Sequence, residues 1–192
     1  MTSQVGRREL IAGAAIAALA ASADVQAREP IPEHYRTAEP DALLAAAKAL
    51  IVRDMFTTLI TVDDRNRPRA RTVLVSPPDE AFMLWMATRP GTRKLEQIAR
   101  NHAATLHFAD DASAAYASLM GEARVVRDPA IIAARNPYKG DALKSYFPDF
   151  PEDFVLIGFK PLWLEITTAQ IASTTDTWRP QGLTMEPATP IR

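Results

Sequence analysis

From Asp41 onward, apolar residues recur at Leu43, Leu44, Ala47, Leu50 and Ile51, a helical spacing that predicts a helix over 41–53. The period then changes. Thr57–Asp63 is short and rich in β-branched residues, so it reads as a strand, and Asp64-Arg65-Asn66-Arg67-Pro68 supplies a turn. Arg69–Ser76 predicts a second strand, broken by Pro77-Pro78-Asp79, and Phe82–Thr88 predicts a third. Thr92–Asn101 returns to helical spacing, with Leu95, Ile98 and Ala99 on one face. Ala104–Ala109 and Ala115–Val126 read as strands around an Asp110-Asp111 turn, the second long enough to need a bend at Gly121. Pro129 suits the first turn of a helix, and Ile131 to about Tyr146 reads as two helical pieces broken near Pro137. Phe154–Phe159 and Leu162–Ile171 are apolar β runs separated by Pro161, and a Thr- and Pro-rich tail from Ala172 is expected on the surface.

About six strands with two or three helices and mostly short connections predict a mainly β, α+β domain, an antiparallel barrel with helices packed outside it. Parallel βαβ units fit poorly, since most neighbouring strands lack a helical crossover. The domain is expected over 41–171, after an extended lead-in over 28–40 that carries three prolines and before a tail over 172–192. The first 27 residues have a different character: Arg7-Arg8 precede the apolar run Leu10–Ala21, and Val25-Gln26-Ala27 offers small residues for cleavage. Twelve residues are too few to span a bilayer. The order of basic flank, apolar run and small residues resembles a twin-arginine export signal, which implies a periplasmic or otherwise exported protein with no stable membrane insertion after signal removal. The alternative is an Ala-rich helix that packs on the domain.

Composition narrows the chemistry. Of 192 residues, 47% are hydrophobic and 23% charged, enough for one sizeable core. A net charge of −1 argues against general nucleic-acid binding. The absence of cysteine removes disulfides, iron–sulfur clusters, thiolate zinc sites and cysteine nucleophiles. His102 and His107 need not converge, so no metal site is expected. No Ser-His-Asp order or carboxylate pair supports hydrolysis. A bound organic cofactor is the expectation that remains.

Two stretches place cations where folding does not ask for them. In Arg69-Ala70-Arg71-Thr72-Val73-Leu74-Val75, Arg69, Arg71, Val73 and Val75 share one strand face. In Ala87-Thr88-Arg89-Pro90-Gly91-Thr92-Arg93-Lys94, a strand ends, a Pro-Gly turn follows, and a helix opens with Thr92 at the N-cap. Arg93 and Lys94 then occupy the first turn, where the helix dipole disfavours positive charge by roughly 0.3–1 kcal/mol each. A phosphate there would resolve the conflict, taking backbone N–H groups, the Thr88 and Thr92 hydroxyls and two cations. The short connection between the strands predicts that they pair and bring Arg71 to the same pocket. Taken singly, each of these cations also suits a solvated surface.

The order of several segments resembles the pyridoxamine 5′-phosphate oxidase-like superfamily of FMN-binding split β-barrels, most of all its general-stress-protein branch. They are Leu59-Ile60-Thr61-Val62-Asp63, Pro68-Arg69-Ala70-Arg71, Leu84-Trp85-Met86-Ala87-Thr88, Arg93-Lys94-Leu95-Glu96-Gln97-Ile98, Ala115 to Ala123, Lys144 to Pro148 and Phe154-Val155-Leu156-Ile157. The resemblance implies a six-stranded antiparallel split β-barrel with short flanking helices, assembled as a homodimer with FMN in clefts between subunits. It implies that Arg71, Thr72, Val73, Leu74 and Val75 run along the flavin, that Ala87 and Thr88 touch ring edge and phosphate, and that Arg93 and Lys94 hold the phosphate. Tyr116 would reach the flavin from the partner subunit. Relatives that bind haem or a deazaflavin keep those cofactors as alternatives. Ser76 stands where the vitamin B6 oxidases continue to a lysine. Arg135-Asn136-Pro137-Tyr138 and Trp178-Arg179 do not reproduce their substrate groups. These departures point away from vitamin B6 oxidation.

The expected function is that of an exported FMN-dependent oxidoreductase acting on an unidentified small molecule. The alternatives are a flavin- or haem-binding module without turnover, for storage, sensing or stress protection, and a barrel that has lost its cofactor. No catalytic residue is assignable. Tyr116 is the one protic residue expected near the ring, and Trp85 and Phe82 are expected in the core.

Overall fold

In the computed structural model, which describes residues 35–171 and 180–185, Pro40 opens helix α1 (Pro40–Arg53) at a position where its missing N–H has no intrahelical partner to lose. Leu43, Ala46, Ala47, Leu50 and Ile51 fall on one face and are buried. The β-branched and alternating stretches form strands β1 (Phe56–Val62), β2 (Pro68–Leu74), β3 (Leu84–Thr88), β4 (Ala103–Asp110), β5 (Ala115–Val126), β6 (Val155–Thr167) and β7 (Gln181–Thr184). Helices α2 (Arg93–Arg100), α3 (Pro129–Arg135) and α4 (Gly140–Tyr146) lie between them in sequence. The export signal expected over residues 1–27, the lead-in as far as residue 34 and Trp178-Arg179 lie outside the described residues.

The strands order as β2-β1-β4-β5-β6-β3, antiparallel at each step. The two ends of that path meet at one point, where Val75 and Met86 form a bridge and the Ser76 N–H donates to the Trp85 carbonyl at 2.8 Å. These six strands make the antiparallel split barrel with flanking helices that the sequence predicts, and β7 adds a seventh strand beside β6. The barrel's register is set by a row of leucines. Leu59, Leu106, Leu119 and Leu164 stand opposite one another on β1, β4, β5 and β6 and are fully buried with α1 and Ile98. Each such side chain contributes roughly 1.5–3 kcal/mol, and a one-residue slip would turn the row outward. A second apolar cluster gathers Trp85, Tyr138, Phe147 and Phe154, so β3 is buried on both faces. Trp85 is therefore core, as expected.

Four local expectations change. Pro161 does not separate two strands but lies within β6. On one edge of β6 it falls between the residues paired with β3 and those paired with β7. On the other it sits at a register shift between Met120 and Gly121, so no regular ladder requires its missing N–H. The bend expected at Gly121 is that shift, and a Cβ there would lie 2.0 Å from the Lys160 carbonyl oxygen. Second, the tail is not wholly a surface segment. β7 pairs with the half of β6 that β3 leaves open, Leu183 joins the core, and Gln181 Oε1 accepts from the N–H groups of Thr37 and Ala38 at 3.0 and 3.1 Å. Third, Phe82 precedes the strand, in a turn at φ +57° that Asp79 organises by accepting from Ala81 and Met83 N–H. Fourth, β2 and β3 share no ladder: β1 pairs with β2 along its full length on one edge, and the approach to β3 is the single Val75–Met86 bridge just past the end of β2.

Candidate functional site

The connection from β3 to α2 turns at Gly91, whose φ of +72° is strained for any side chain. It delivers Thr92 to the N-cap position of α2, but the Thr92 side chain makes no capping hydrogen bond. Its hydroxyl instead lies 3.3 Å from that of buried Thr88, which accepts from Lys94 Nζ at 2.7 Å. The helix is sharply two-sided. Ile98 is buried and Leu95 partly buried, whereas Arg93, Lys94 and Gln97 fall together on another face one turn apart.

Arg71 reaches this face from β2. Its Nη1 donates to Thr61 Oγ1 at 2.6 Å and to the Leu59 carbonyl at 3.4 Å, and its Nη2 donates to Gln97 Oε1 at 2.7 Å. Its neighbour on the same strand face is treated differently. Arg69 pairs with Asp63 at 2.8 Å, as does Arg67 at 2.9 Å. Burial alone would raise the Asp63 carboxyl, but hydrogen bonds from Arg67, Arg65 and Arg69 outweigh it and hold the group well below the carboxylate range. Among the described residues, no carboxylate pairs with Arg71, Arg93 or Lys94. Their charges feel one another: burial, then the fields of Arg93 and Arg69, lower the Arg71 guanidinium, and burial, then Arg71, lower the Lys94 amine. Three cations, two threonine hydroxyls and N–H groups of a helix start thus share one place, and among the described residues no carboxylate, Glu96 of the same turn included, forms an ion pair with them. That donor set fits a phosphate dianion.

The other expected site residues are partly gathered. Val75 is buried and Val73 packs on the main core, while Thr72 on the opposite face is exposed and Leu74 packs on the second cluster with Ala87. Thr72 to Val75 therefore flank the cationic group without all facing it. Arg89 is not part of it, since its guanidinium donates twice to the Tyr146 carbonyl, at 3.1 and 2.8 Å. Within one chain Tyr116 is not part of it either. Its hydroxyl donates to Glu165 at 2.8 Å, its ring centre lies 5.6 Å from that of His107, and burial followed by Glu165 raises the phenol. His107 Nδ1 in turn lies 2.8 Å from Ser118 Oγ. A cavity of about 280 Å³ lies elsewhere, lined by Leu50, Phe56 and Phe108 among others, and its cation, Arg53, is paired with Asp110.

Sequence reasoning missed Thr61 and Gln97. Gln97 carried a readable signal, lying four residues after Arg93 and three after Lys94. Thr61 carried none, because its place depends on β1 pairing Thr61 with Arg69 and so bringing it beside Arg71.

The family model described as pyridoxamine 5′-phosphate oxidase matches residues 43–170. Comparison with curated proteins returns no match. Among solved structures, the chain is similar to a Clostridium acetobutylicum protein related to general stress protein 26 of Bacillus subtilis, with a TM-score of 0.64, 17% identity, and 78% of this chain and 98% of that one covered. It is also similar to a pyridoxamine 5′-phosphate oxidase-related, FMN-binding protein of Nostoc punctiforme, with a TM-score of 0.56, 15% identity, and 79% and 100% covered. A haem-binding protein of Mycobacterium smegmatis aligns at a TM-score of 0.58 and 18% identity, over 78% of this chain and 60% of that one.

Proposed function

Because the chain belongs to the pyridoxamine 5′-phosphate oxidase family, we propose that it binds FMN and acts as an oxidoreductase on a small molecule. One observation carries the reading: Arg71, Arg93 and Lys94 converge on the start of α2, and no carboxylate among the described residues forms an ion pair with them. A flavin phosphate supplies the missing charge. Arg71 and Lys94 then contact it from two elements, Arg93 adds its field from the exposed rim, and the Thr88 and Thr92 hydroxyls complete the donors. Thr72 to Val75 and Ala87 flank the remainder of the cofactor. Bound FMN supplies reversible hydride or electron transfer, and the protein supplies anchoring and electrostatics.

The reading extends to a homodimer with the cofactor at the subunit interface. Tyr116 lies away from the cations of its own chain, so a second copy is what would bring a phenol to the ring. It extends also to export by the twin-arginine route, supported by Arg7-Arg8 and the apolar run that follows. The test is an absorption spectrum of protein isolated without added cofactor. Flavin bands support the proposal. Colourless protein that takes up no FMN refutes it.

A second reading, a haem-binding module without turnover, draws on the haem-binding neighbour. A Soret band in the same spectrum would select it, and photometric turnover with a nicotinamide donor would exclude a non-catalytic carrier.

A further inference from the structure

Arg71 is held on two sides by neutral groups. Because a guanidinium can only donate, its bond to Gln97 fixes which end of that amide faces it: the carbonyl oxygen, Oε1. Thr61 closes the arrangement. Its hydroxyl accepts from Arg71 Nη1 at 2.6 Å and spends its own proton on Gln97 Oε1, also at 2.6 Å. The Gln97 oxygen thus receives two donors, one from β1 and one from β2, and the Gln97 NH2 is left with no partner in the described chain. An arginine in a folded protein is more commonly fixed by a carboxylate, as Arg69, two residues before Arg71, is by Asp63. A carboxylate at position 97 would hold Arg71 equally well and would also lie on the helix face of Arg93 and Lys94. It would fix the geometry and cancel the charge.

The geometry points to Gln97 as a positioning and selectivity residue: with Thr61 it orients Arg71 while leaving its charge uncompensated, so that the site accepts a phosphate dianion in place of an internal carboxylate. This rests on the FMN reading above and adds to it a residue that sets the charge the site will take. The Gln97 NH2 supplies a further neutral donor on the same face.

The decisive variant is Gln97→Glu, with Gln97→Met as the change that removes the acceptor and adds no charge. Each is purified without flavin, then titrated with FMN by fluorescence quenching and melted with and without inorganic phosphate. A unit charge a few ångströms from a partly desolvated phosphate weakens binding by about 100-fold, so Gln97→Glu loses FMN by about that factor. Its flavin-free melting temperature stays level or rises, because the new carboxylate satisfies Arg71 and Thr61. Phosphate raises the melting temperature of the wild type and not that of Gln97→Glu. Gln97→Met weakens FMN by about tenfold, the effect of one lost hydrogen bond to a charged group. Affinity and stability moving in opposite directions is the mark of a charge-setting role, since a merely structural residue would lower both.

If the wild type binds FMN and Gln97→Glu binds it within about threefold, or loses it only together with its fold, the role given to Gln97 is wrong and the FMN reading stands. If the wild type takes up phosphate but not FMN, the FMN reading fails and the phosphate melts alone decide on Gln97. A wild type that binds neither overturns both.

Discussion

Replacing Lys94 with methionine keeps the aliphatic stem and removes the charge, which separates what this residue does for the fold from what it does for a ligand. In the flavin-free chain the charge is a burden. It lies in the first turn of α2, where the helix dipole disfavours it by roughly 0.3–1 kcal/mol, and burial and Arg71 both push its amine below the ordinary value. Against this stands one hydrogen bond to Thr88 at 2.7 Å, worth roughly 0.5–1.5 kcal/mol at a half-exposed position. The two nearly cancel. Lys94→Met should therefore melt within about 3 °C of the wild type, since about 1 kcal/mol moves a domain of this size by only a few degrees. FMN affinity behaves differently, because a charge-assisted contact to phosphate is worth roughly 1.5–3 kcal/mol, or about 10- to 150-fold. Thermal melts of the flavin-free proteins and FMN titrations by fluorescence quenching read the two quantities separately. Unchanged FMN affinity, or a loss of affinity matched by a fall of about 6 °C or more in melting temperature, would refute the reasoning.

The same residue gives a signed pH dependence. With its folded value depressed, the unfolded chain holds the Lys94 proton more tightly between that value and the ordinary 10.5. Wild-type stability should gain on alkalinisation through that window relative to Lys94→Met. Asp63 has the same sign, stability rising with pH, but in an acid window and from a charge that favours the fold. Its folded value is depressed, so the advantage of the wild type over Asp63→Asn should be complete above the ordinary carboxylate value of 3.8 and shrink as acid takes the pH below it, read from melts across an acid series. Gly121→Ala should cost about 3 kcal/mol in denaturant unfolding, because the new methyl meets backbone at 2.0 and 2.8 Å rather than a movable side chain. Gln181→Ala should cost about 2 kcal/mol, and the amides of Thr37 and Ala38 should lose hydrogen-exchange protection while those of β1 keep theirs.

What could be read along the chain were the features that local physics decides. The change from period 3.6 to period 2 after Arg53, the return to helix after Gly91 and the bend at Gly121 all follow from residues within a turn of one another. The cations of α2 were legible for the same reason, since Arg93 and Lys94 contradict the dipole of the helix they begin. What could not be read depended on which edge met which. β7 forms because β3 stops short along β6 and leaves an edge open, and nothing near Gln181 announces that vacancy. Pro161 looked like a break until the bulge opposite it removed the need for its N–H. Arg71 was expected at the site through pairing of β2 with β3, whereas it arrives there through β1, by way of Thr61.

Gln181 binds the backbone of Thr37 and Ala38, and Gly182 N–H donates to the Tyr35 carbonyl at 2.8 Å. The segment that leads into the first helix is thereby fastened by residues made almost 150 positions later. During synthesis these three hydrogen bonds cannot form until residues 181–184 have emerged from the ribosome. A chain stalled before that point should remain open to proteases ahead of α1 while its barrel strands are already resistant.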